Sequence, residues 1–161
     1  MIKKIYSTAL YIEKQEYGED GEYCYWNIFG ESDTPKSIIP IGGSGRLPDT
    51  PEHILIKKFC EKTGAMPEGF KEVYRETQGE VLRCFFLITK VSGYISCIAP
   101  IRLFDRSYVY INKLEADSFM EILPERYKKP ICYTLEEFAK SDPAFKTRYQ
   151  KLISSLSAYK A

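Results

Sequence analysis

The chain has 161 residues, of which 44% are hydrophobic and 28% charged, a composition typical of a folded globular domain and not of a disordered chain. With 23 basic and 22 acidic residues the formal charge is +1, so the overall charge calls for neither nucleic acid nor an anionic membrane. We therefore expect a single domain over residues 1–161 with no membrane or nucleic-acid partner.

The five cysteines lie far apart, form no C-x-x-C pair, and are odd in number. An odd set would leave one thiol unpaired in any disulfide framework, which favours reduced cysteines. No apolar run near Met1 resembles a signal peptide, and no later run approaches the length of a membrane span. These features predict a cytoplasmic protein.

The first third of the chain has the alternation and composition of β-strands. Strands are predicted for Lys3 to Glu13 and for Tyr23 to Phe29, which are rich in β-branched and aromatic residues and form a hairpin. A polar turn is predicted at Ser32 to Lys36, and Ser37 to Ile41 is a short apolar strand. Trp26 on the second strand is interpreted as a core residue, with base stacking as the alternative.

The stretch that follows predicts a glycine turn and then a capped helix. Gly42 and Gly43 break the apolar strand, and Gly64 supplies the left-handed residue that ends a helix. Leu55 and Phe59 recur at helical spacing on its apolar face. The helix-start signals, a capping side chain, a proline and an early acid, are Asp49, Thr50, Pro51 and Glu52.

Beyond the helix, Met66 to Phe70 contains proline and glycine and is predicted to be a loop. Two strands joined at Gln78 and Gly79 come next, and a helical pattern begins at Thr134 with a break at Asp142 and Pro143. The predicted strands in this half are Lys71 to Thr77, Glu80 to Val91, Tyr94 to Phe104 and Tyr108 to Leu114.

The segment from Gly43 to Ala65 resembles the box of the Nudix hydrolases, G-x5-E-x7-R-E-U-x-E-E-x-G-U, where U is a bulky apolar residue. The residues that carry the resemblance are Gly43, Asp49, Lys57 in the place of the arginine, Phe59, Glu61 and Gly64. The resemblance implies an α/β (α+β) fold, an α/β/α sandwich in which the box helix lies against one face of a mixed β-sheet.

Two residues depart from the box at positions that the family uses for metal and catalysis. Lys58 stands where the family has the glutamate after its arginine, and Lys62 replaces the second of the paired glutamates. The family has one arginine and three glutamates here, whereas this chain has three lysines and one glutamate. Each contact of like charges at ~4 Å costs about 4 kcal/mol at an intermediate dielectric, so Mg²⁺ should be repelled. We therefore expect no cofactor.

Lysines in a cleft can still bind phosphate as point charges. Together with the resemblance, this predicts a nucleotide-like or phosphorylated small molecule as the ligand. The alternative is a solvated helix face on which Lys57 and Lys58 only form surface ion pairs with Glu61. The predicted phosphate-binding residues are Arg46, Lys57, Lys58 and Lys62.

Two other functions stay open. An active Nudix-type pyrophosphohydrolase would use Glu61 as its catalytic residue and would hold Mg²⁺ or Mn²⁺ with Glu61, Glu76 and Glu80. A protein-interaction module would instead meet a protein partner, or a second copy of itself, through its tyrosines and C-terminal helix. His53 is the sole histidine, so neither a metal pair nor a triad can form from histidines, and a surface role is predicted for it.

Overall fold

A computed structural model of the chain shows a mixed β-sheet with helices on both faces. The described residues are 1–17, 23–34, 37–95, 107–110 and 120–160. The strands are β1 Lys4–Tyr17, β2 Tyr23–Thr34, β3 Ser37–Ile39, β4 Ile41–Gly45, β5 Met66–Gln78, β6 Val81–Ser92 and β7 Ser107–Tyr110. The helices are α1 Pro51–Thr63, α2 Glu125–Ser141 and α3 Pro143–Ser157, followed by a 3₁₀ turn at Ala158–Lys160.

The described strands form one seven-stranded sheet in which β1 is central. The main order is β3-β2-β1-β6-β5, with β4 paired to β1 and β7 paired to β2. β1 runs parallel to β6 and antiparallel to β2 and β4. Because the first half of β1 pairs with β4 and its second half with β2, β4 and the later part of β2 are brought together beside α1.

β6 supplies the core on both faces because successive residues of a strand point to opposite sides. Cys84, Phe86 and Ile88 lie in the hydrophobic cluster that contains Phe59 of α1. Leu87 lies in the other cluster, which contains the buried residues of α2 and α3. The two faces of the sheet are therefore each sealed by helices.

The helix α1 begins and ends where the sequence predicts. The hydroxyl of Thr50 accepts a hydrogen bond from the backbone N–H of His53 at 3.2 Å, and Pro51 opens the first turn. Gly64 ends the helix with φ +78°, and its N–H donates to the carbonyl of Cys60 at 2.9 Å. Both ends are therefore fixed by local interactions.

The glycines after Ile41 form a strand and not the predicted turn. β4 runs through Gly42 and Gly43, and a Cβ at Gly42 would lie 2.1 Å from the carbonyl oxygen of Ser7 in β1. A Cβ at Gly45 would lie 2.8 Å from the side chain of Ile54 in α1. The glycines are thus required by the close approach of β4 to its neighbours, and they allow α1 to lie directly on the strand.

Two buried hydrogen bonds to one carboxylate fix the start of α3 to the face of the sheet opposite α1. The indole N–H of Trp26 donates to the Asp142 carboxylate at 2.8 Å, and the backbone N–H of Phe145 donates to its other oxygen at 3.0 Å. The ring of Trp26 packs edge-on against Phe145 and Tyr149. This location confirms the interpretation of Trp26 as a core residue.

Three other secondary-structure predictions were wrong. Ser32–Thr34 belongs to β2, because its pairing with β3 continues past a register shift, and Met66–Phe70 belongs to β5. β5 is the last strand of the main order and therefore an edge strand. Proline has no N–H to donate, but it is tolerated at an edge where the pairing is irregular, as it is beside Pro67. α2 begins at Glu125, nine residues before the helical pattern starts at Thr134, although Pro130 lies inside it. The strand predicted for Tyr94 to Phe104 falls largely on residues outside the described ranges.

No helix in the described part of the chain combines the length and the apolar character that a membrane span requires.

Candidate functional site

A cleft of about 460 Å³ opens between the end of β4 and the first two turns of α1. It brings together three of the four predicted phosphate-binding residues. Its walls are formed by Ser44, Gly45, Arg46, Asp49, His53, Ile54, Ile56, Lys57 and Lys58. We call it the box cleft.

The charges of the box cleft are predominantly positive. Arg46, Lys57 and Lys58 supply three cations, and Asp49 supplies the one carboxylate among the lining residues. Arg46 and Lys57 are exposed and make no ion pair with any other residue that the structure describes. Their charges are therefore available to an anion that enters from solvent.

Lys58 lies across β4, which we call the glycine strand because it contains Gly42, Gly43 and Gly45. Its methylene stem covers Gly43, where a Cβ would meet the Lys58 Cγ at 2.7 Å. Its ammonium is 3.5 Å from the carboxylate of Glu61, and both side chains remain about a third or more exposed to solvent. A pair of this kind contributes only about 0–1 kcal/mol, so Lys58 can exchange Glu61 for another anion at little cost.

Lys62 lies outside the box cleft and is bound within the fold. Its ammonium is 3.3 and 3.1 Å from the two carboxylate oxygens of Glu31, and it also donates to the backbone carbonyl of Gly42. Glu31 lies on β2 and is 1% exposed. These contacts favour a structural role for Lys62 over the phosphate-binding role predicted for it.

The sequence reasoning missed Glu31 because the polar run from Ser32 was interpreted as a turn. Alternation along β2 contained a usable signal, since Glu31 lies two residues after Phe29 and so on the same face of the strand. Phe29 belongs to the cluster that packs under α1. Extending the strand by two residues would have placed Glu31 beneath the helix.

Comparisons with known proteins identify the fold. No family model and no curated protein matches the sequence. Among solved structures, the chain is similar to a MutT mutator protein from Bacillus halodurans, with 10% identity, a TM-score of 0.55, and 81% of this chain and 79% of that one covered. It is also similar to a Nudix hydrolase family member from Chromobacterium violaceum, with 12% identity, a TM-score of 0.53, and 99% and 93% coverage. The chain has the Nudix fold. The predicted fold class is therefore confirmed.

On this Nudix fold, the acids predicted for an active hydrolase lie apart. Glu61 is on α1 beside Lys58, and Glu80 pairs with Lys3 at 3.4 Å near the turn between β5 and β6. The carboxylate of Glu76 accepts a hydrogen bond from Tyr74, whose ring stacks on Tyr133 of α2, on the face opposite α1. The structure does not bring these three carboxylates together.

Three carboxylates on α1 and its neighbouring strands do not fit Mg²⁺, because each already contacts a cation. Glu61 contacts the ammonium of Lys58, and Glu31 contacts that of Lys62. Glu72 on β5 is bound by the guanidinium of Arg75, with Nη2 at 3.0 Å from one of its oxygens. Within the described ranges, no group of three or more His, Cys, Asp or Glu residues converges on one point.

Proposed function

We propose that this Nudix-fold protein binds a nucleotide-like, phosphorylated small molecule in the box cleft and does not hydrolyse it by a metal-dependent mechanism at the box helix. The observation that carries the proposal is the convergence of Arg46, Lys57 and Lys58 on one cleft with a single opposing carboxylate, Asp49. The cleft volume of about 460 Å³ is in the range of small-molecule sites.

The chemistry of the lining residues suits such a ligand. Arg46 offers a planar guanidinium that can hold a phosphate with two parallel hydrogen bonds, and the two lysines add point charges. Ile56 provides a half-buried apolar wall against which a flat base or sugar could rest. Ser44 and Asp49 supply a hydroxyl and a carboxylate for sugar hydroxyl groups.

Lys58 and Lys62 support the loss of hydrolysis at the box helix. Both replace acids of the box, and both ammonium groups lie on the carboxylates nearest to them, Glu61 and Glu31. A divalent metal would have to displace an ammonium before it could use either carboxylate. A binder or sensor of the ligand therefore agrees better with these contacts than a hydrolase.

Calorimetry with a matched panel tests the binding. The panel is adenosine, ADP, UDP-glucose and inorganic pyrophosphate, and the variants are Arg46→Ala, Lys57→Ala and the control Lys90→Ala. Lys90 is an exposed lysine of β6 outside the box cleft. We expect a phosphorylated member to bind, adenosine not to bind, and affinity to fall about tenfold in each cleft variant, the effect of a charged hydrogen bond at a ligand. High salt should weaken the binding.

A second assay tests the absence of hydrolysis. The protein is incubated with the same compounds and Mg²⁺ or Mn²⁺, and phosphate-containing products are measured. Metal-dependent turnover that Glu61→Gln abolishes would overturn the proposal and support the active hydrolase. Failure of every panel member to bind would support the interaction module instead. The single domain over residues 1–161, the cytoplasmic location and a homodimer or protein partner stay predictions.

A further inference from the structure

A second concave surface lies on the face of the molecule opposite the box cleft. It has a volume of about 510 Å³ and lies between α2 and α3. The residues that line it are Glu136, Ala139, Lys140, Pro143, Lys146, Gln150 and Ile153. We call it the helix groove. It belongs to neither the box nor the proposed ligand site.

The floor of the helix groove is apolar. Ala139 and Ile153 belong to the buried cluster of this face and reach the surface only slightly, at 7% and 9% exposure. Pro143 at the start of α3 adds a third apolar side chain. The small side chain of Ala139 leaves the space that a residue of ordinary size would fill. The groove is thus shaped to receive an apolar group.

The rim of the helix groove is basic. Lys140 and Lys146 border it, and Lys146 makes no ion pair with any residue in the described ranges. Lys140 is 3.1 Å from Glu137 but its side chain stays 74% exposed. The carboxylate of Glu136 is bound by the ammonium of Lys160 at 2.9 and 3.0 Å. The acid in the groove is therefore paired within the protein, whereas Lys146 has no ion pair among the described residues and Lys140 keeps a largely exposed ammonium beside Glu137.

The excess of positive charge is a property of the whole helical layer. Residues 125–160 contain eight Lys and Arg against four Asp and Glu. The other 125 residues contain 15 basic against 18 acidic residues. A chain that is almost neutral overall thus concentrates its positive charge on one layer, which attracts acidic partners and raises their association rate.

We propose that the helix groove binds an acidic peptide segment of a partner protein, with an apolar side chain on the floor and carboxylates at Lys140 and Lys146. The combination of floor and rim selects this partner. A nucleic-acid backbone brings charge but no apolar group for a concave floor, and a bilayer surface is too flat to enter a groove. An apolar anchor residue flanked by acids satisfies both parts.

Synthetic peptides test the proposal with the full-length chain. The probe is a fluorescein-labelled Glu-Glu-Leu-Phe-Glu-Glu, and its controls are the same peptide with Gly-Gly at the centre and with lysines for the glutamates. Binding is measured by fluorescence anisotropy, and its location by the methyl NMR shifts of Ala139 and Ile153. We expect the acidic apolar peptide to bind, both controls to bind at least about tenfold more weakly, and the two methyl signals to move.

Two variants of the groove are compared with one outside it. Lys140→Glu/Lys146→Glu should weaken the peptide about tenfold, whereas Arg126→Glu/Arg148→Glu, with the same charge change outside the groove, should have a much smaller effect. Ala139→Phe should block the floor without changing charge. Thermal unfolding checks that each variant is folded. If Ala139→Phe does not fold, the two charge variants still test the proposal.

The proposal is overturned if no peptide binds, if the lysine peptide binds as well as the acidic one, or if both charge variants weaken binding equally. It is also overturned if the peptides fail while phosphatidylserine vesicles or a single-stranded oligonucleotide bind through the same lysines. The phosphorylated compounds of the box cleft should bind the groove variants unchanged, so failure here is distinguishable from failure of the proposed function.

Discussion

Each face of the sheet contains a buried carboxylate, and the two are stabilised in different ways. Asp142 lies under the helical layer and is held by the Trp26 indole and the Phe145 amide, with the Lys14 ammonium 3.6 Å away. Glu31 lies under α1 and is bound by the ammonium of Lys62. Two fixed neutral donors lie closest to Asp142, with a lysine farther away, whereas a flexible side chain of the box helix places a full charge directly on Glu31.

The difference explains why a lysine is favourable at position 62. An acid there would bring a second carboxylate next to the buried Glu31 and the Gly42 carbonyl, where the like charges would repel each other. Lys62 instead brings a positive charge to this position. The departure from the box pattern is therefore compensated inside the protein, whereas Lys58 compensates only an exposed acid.

Breaking the Lys62 contact should have the largest effect on stability. Lys62→Met removes the ammonium that contacts the buried Glu31 carboxylate at 3.3 and 3.1 Å, and we expect the free energy of unfolding to fall by about 3 kcal/mol. Glu31→Gln/Lys62→Met should lose less than the sum of the single variants, because the two groups interact. Urea denaturation measures all three.

Lys58→Met is the control, since its partner Glu61 is exposed and the loss should stay under about 1 kcal/mol. Equal losses for Lys58→Met and Lys62→Met would contradict the assigned difference between the two lysines.

The glycine strand gives the next largest effect. Gly42→Ala would place a Cβ 2.1 Å from the Ser7 carbonyl, so β4 must move away from β1. We expect a loss of about 2–3 kcal/mol, the usual cost of overpacking. In Gly43→Ala the new Cβ meets the flexible stem of Lys58, which can shift, and the loss should be smaller.

Thermal denaturation of the two alanine variants, with refolding to confirm reversibility, gives the comparison. If Gly43→Ala is the more damaging variant, the backbone contact between β4 and β1 is not what requires glycine here.

The Asp142 group should make stability depend on pH at the acidic end. Burial by itself raises the pKa of Asp142, but the hydrogen bonds from Phe145 and Trp26 and the charge of Lys14 outweigh burial, and its pKa is lowered. Because the folded pKa lies below the unfolded value of about 3.9, the stability from this group is present above that pH and lost as pH falls through the folded pKa.

Asp142→Asn should therefore reduce the free energy of unfolding by about 1–3 kcal/mol at pH 7. The difference from the parent protein should shrink as pH falls from about 3.9 through the lowered pKa of folded Asp142, because Asp142 itself becomes protonated there. Urea denaturation over a series of pH values from 7 downward measures it. A difference that stays constant with pH would mean that the charge of Asp142 contributes nothing.

The sequence predicted what depends on neighbouring residues. The ends of α1 follow from Thr50, Pro51 and Gly64, which act within one turn of the helix. The box pattern, which is also local, led to the Nudix fold and to the cluster of Arg46, Lys57 and Lys58. Three of the four predicted phosphate-binding residues consequently line one cleft.

The missed features depend on distant residues. The Glu31 and Lys62 contact joins positions 31 residues apart, and the Trp26 and Asp142 contact joins positions 116 apart. The strand at Met66–Phe70 exists because β6 pairs with it, since its own proline and glycine favour a loop. The role of Lys62 is decided by Glu31 on β2, a partner that the pattern of α1 by itself could not identify.

The last comparison concerns one buried thiol on each face of the sheet. Burial raises the pKa of Cys84, under α1, to about 11, and that of Cys132, under the helical layer, to about 12. The charge of Arg75 offsets part of this rise in the pKa of Cys84, whereas the charge of Glu136 adds to the rise in the pKa of Cys132. Since both folded values lie above the unfolded value of about 8.5, ionisation favours the unfolded chain, and stability from these groups is lost as pH rises above that value.

Replacement by alanine removes this pH dependence at one site. The free energy of unfolding should therefore fall less steeply between pH 8.5 and 10.5 in Cys84→Ala and Cys132→Ala than in the parent. The slopes of urea denaturation against pH measure this, and they do not depend on the constant loss of packing in each variant. Over this range both thiols are neutral in the folded protein, so the two slopes should change by similar amounts. A change at Cys132 alone would mean that Cys84 ionises readily in place, as expected if α1 opens away from the sheet more easily than the helical layer does.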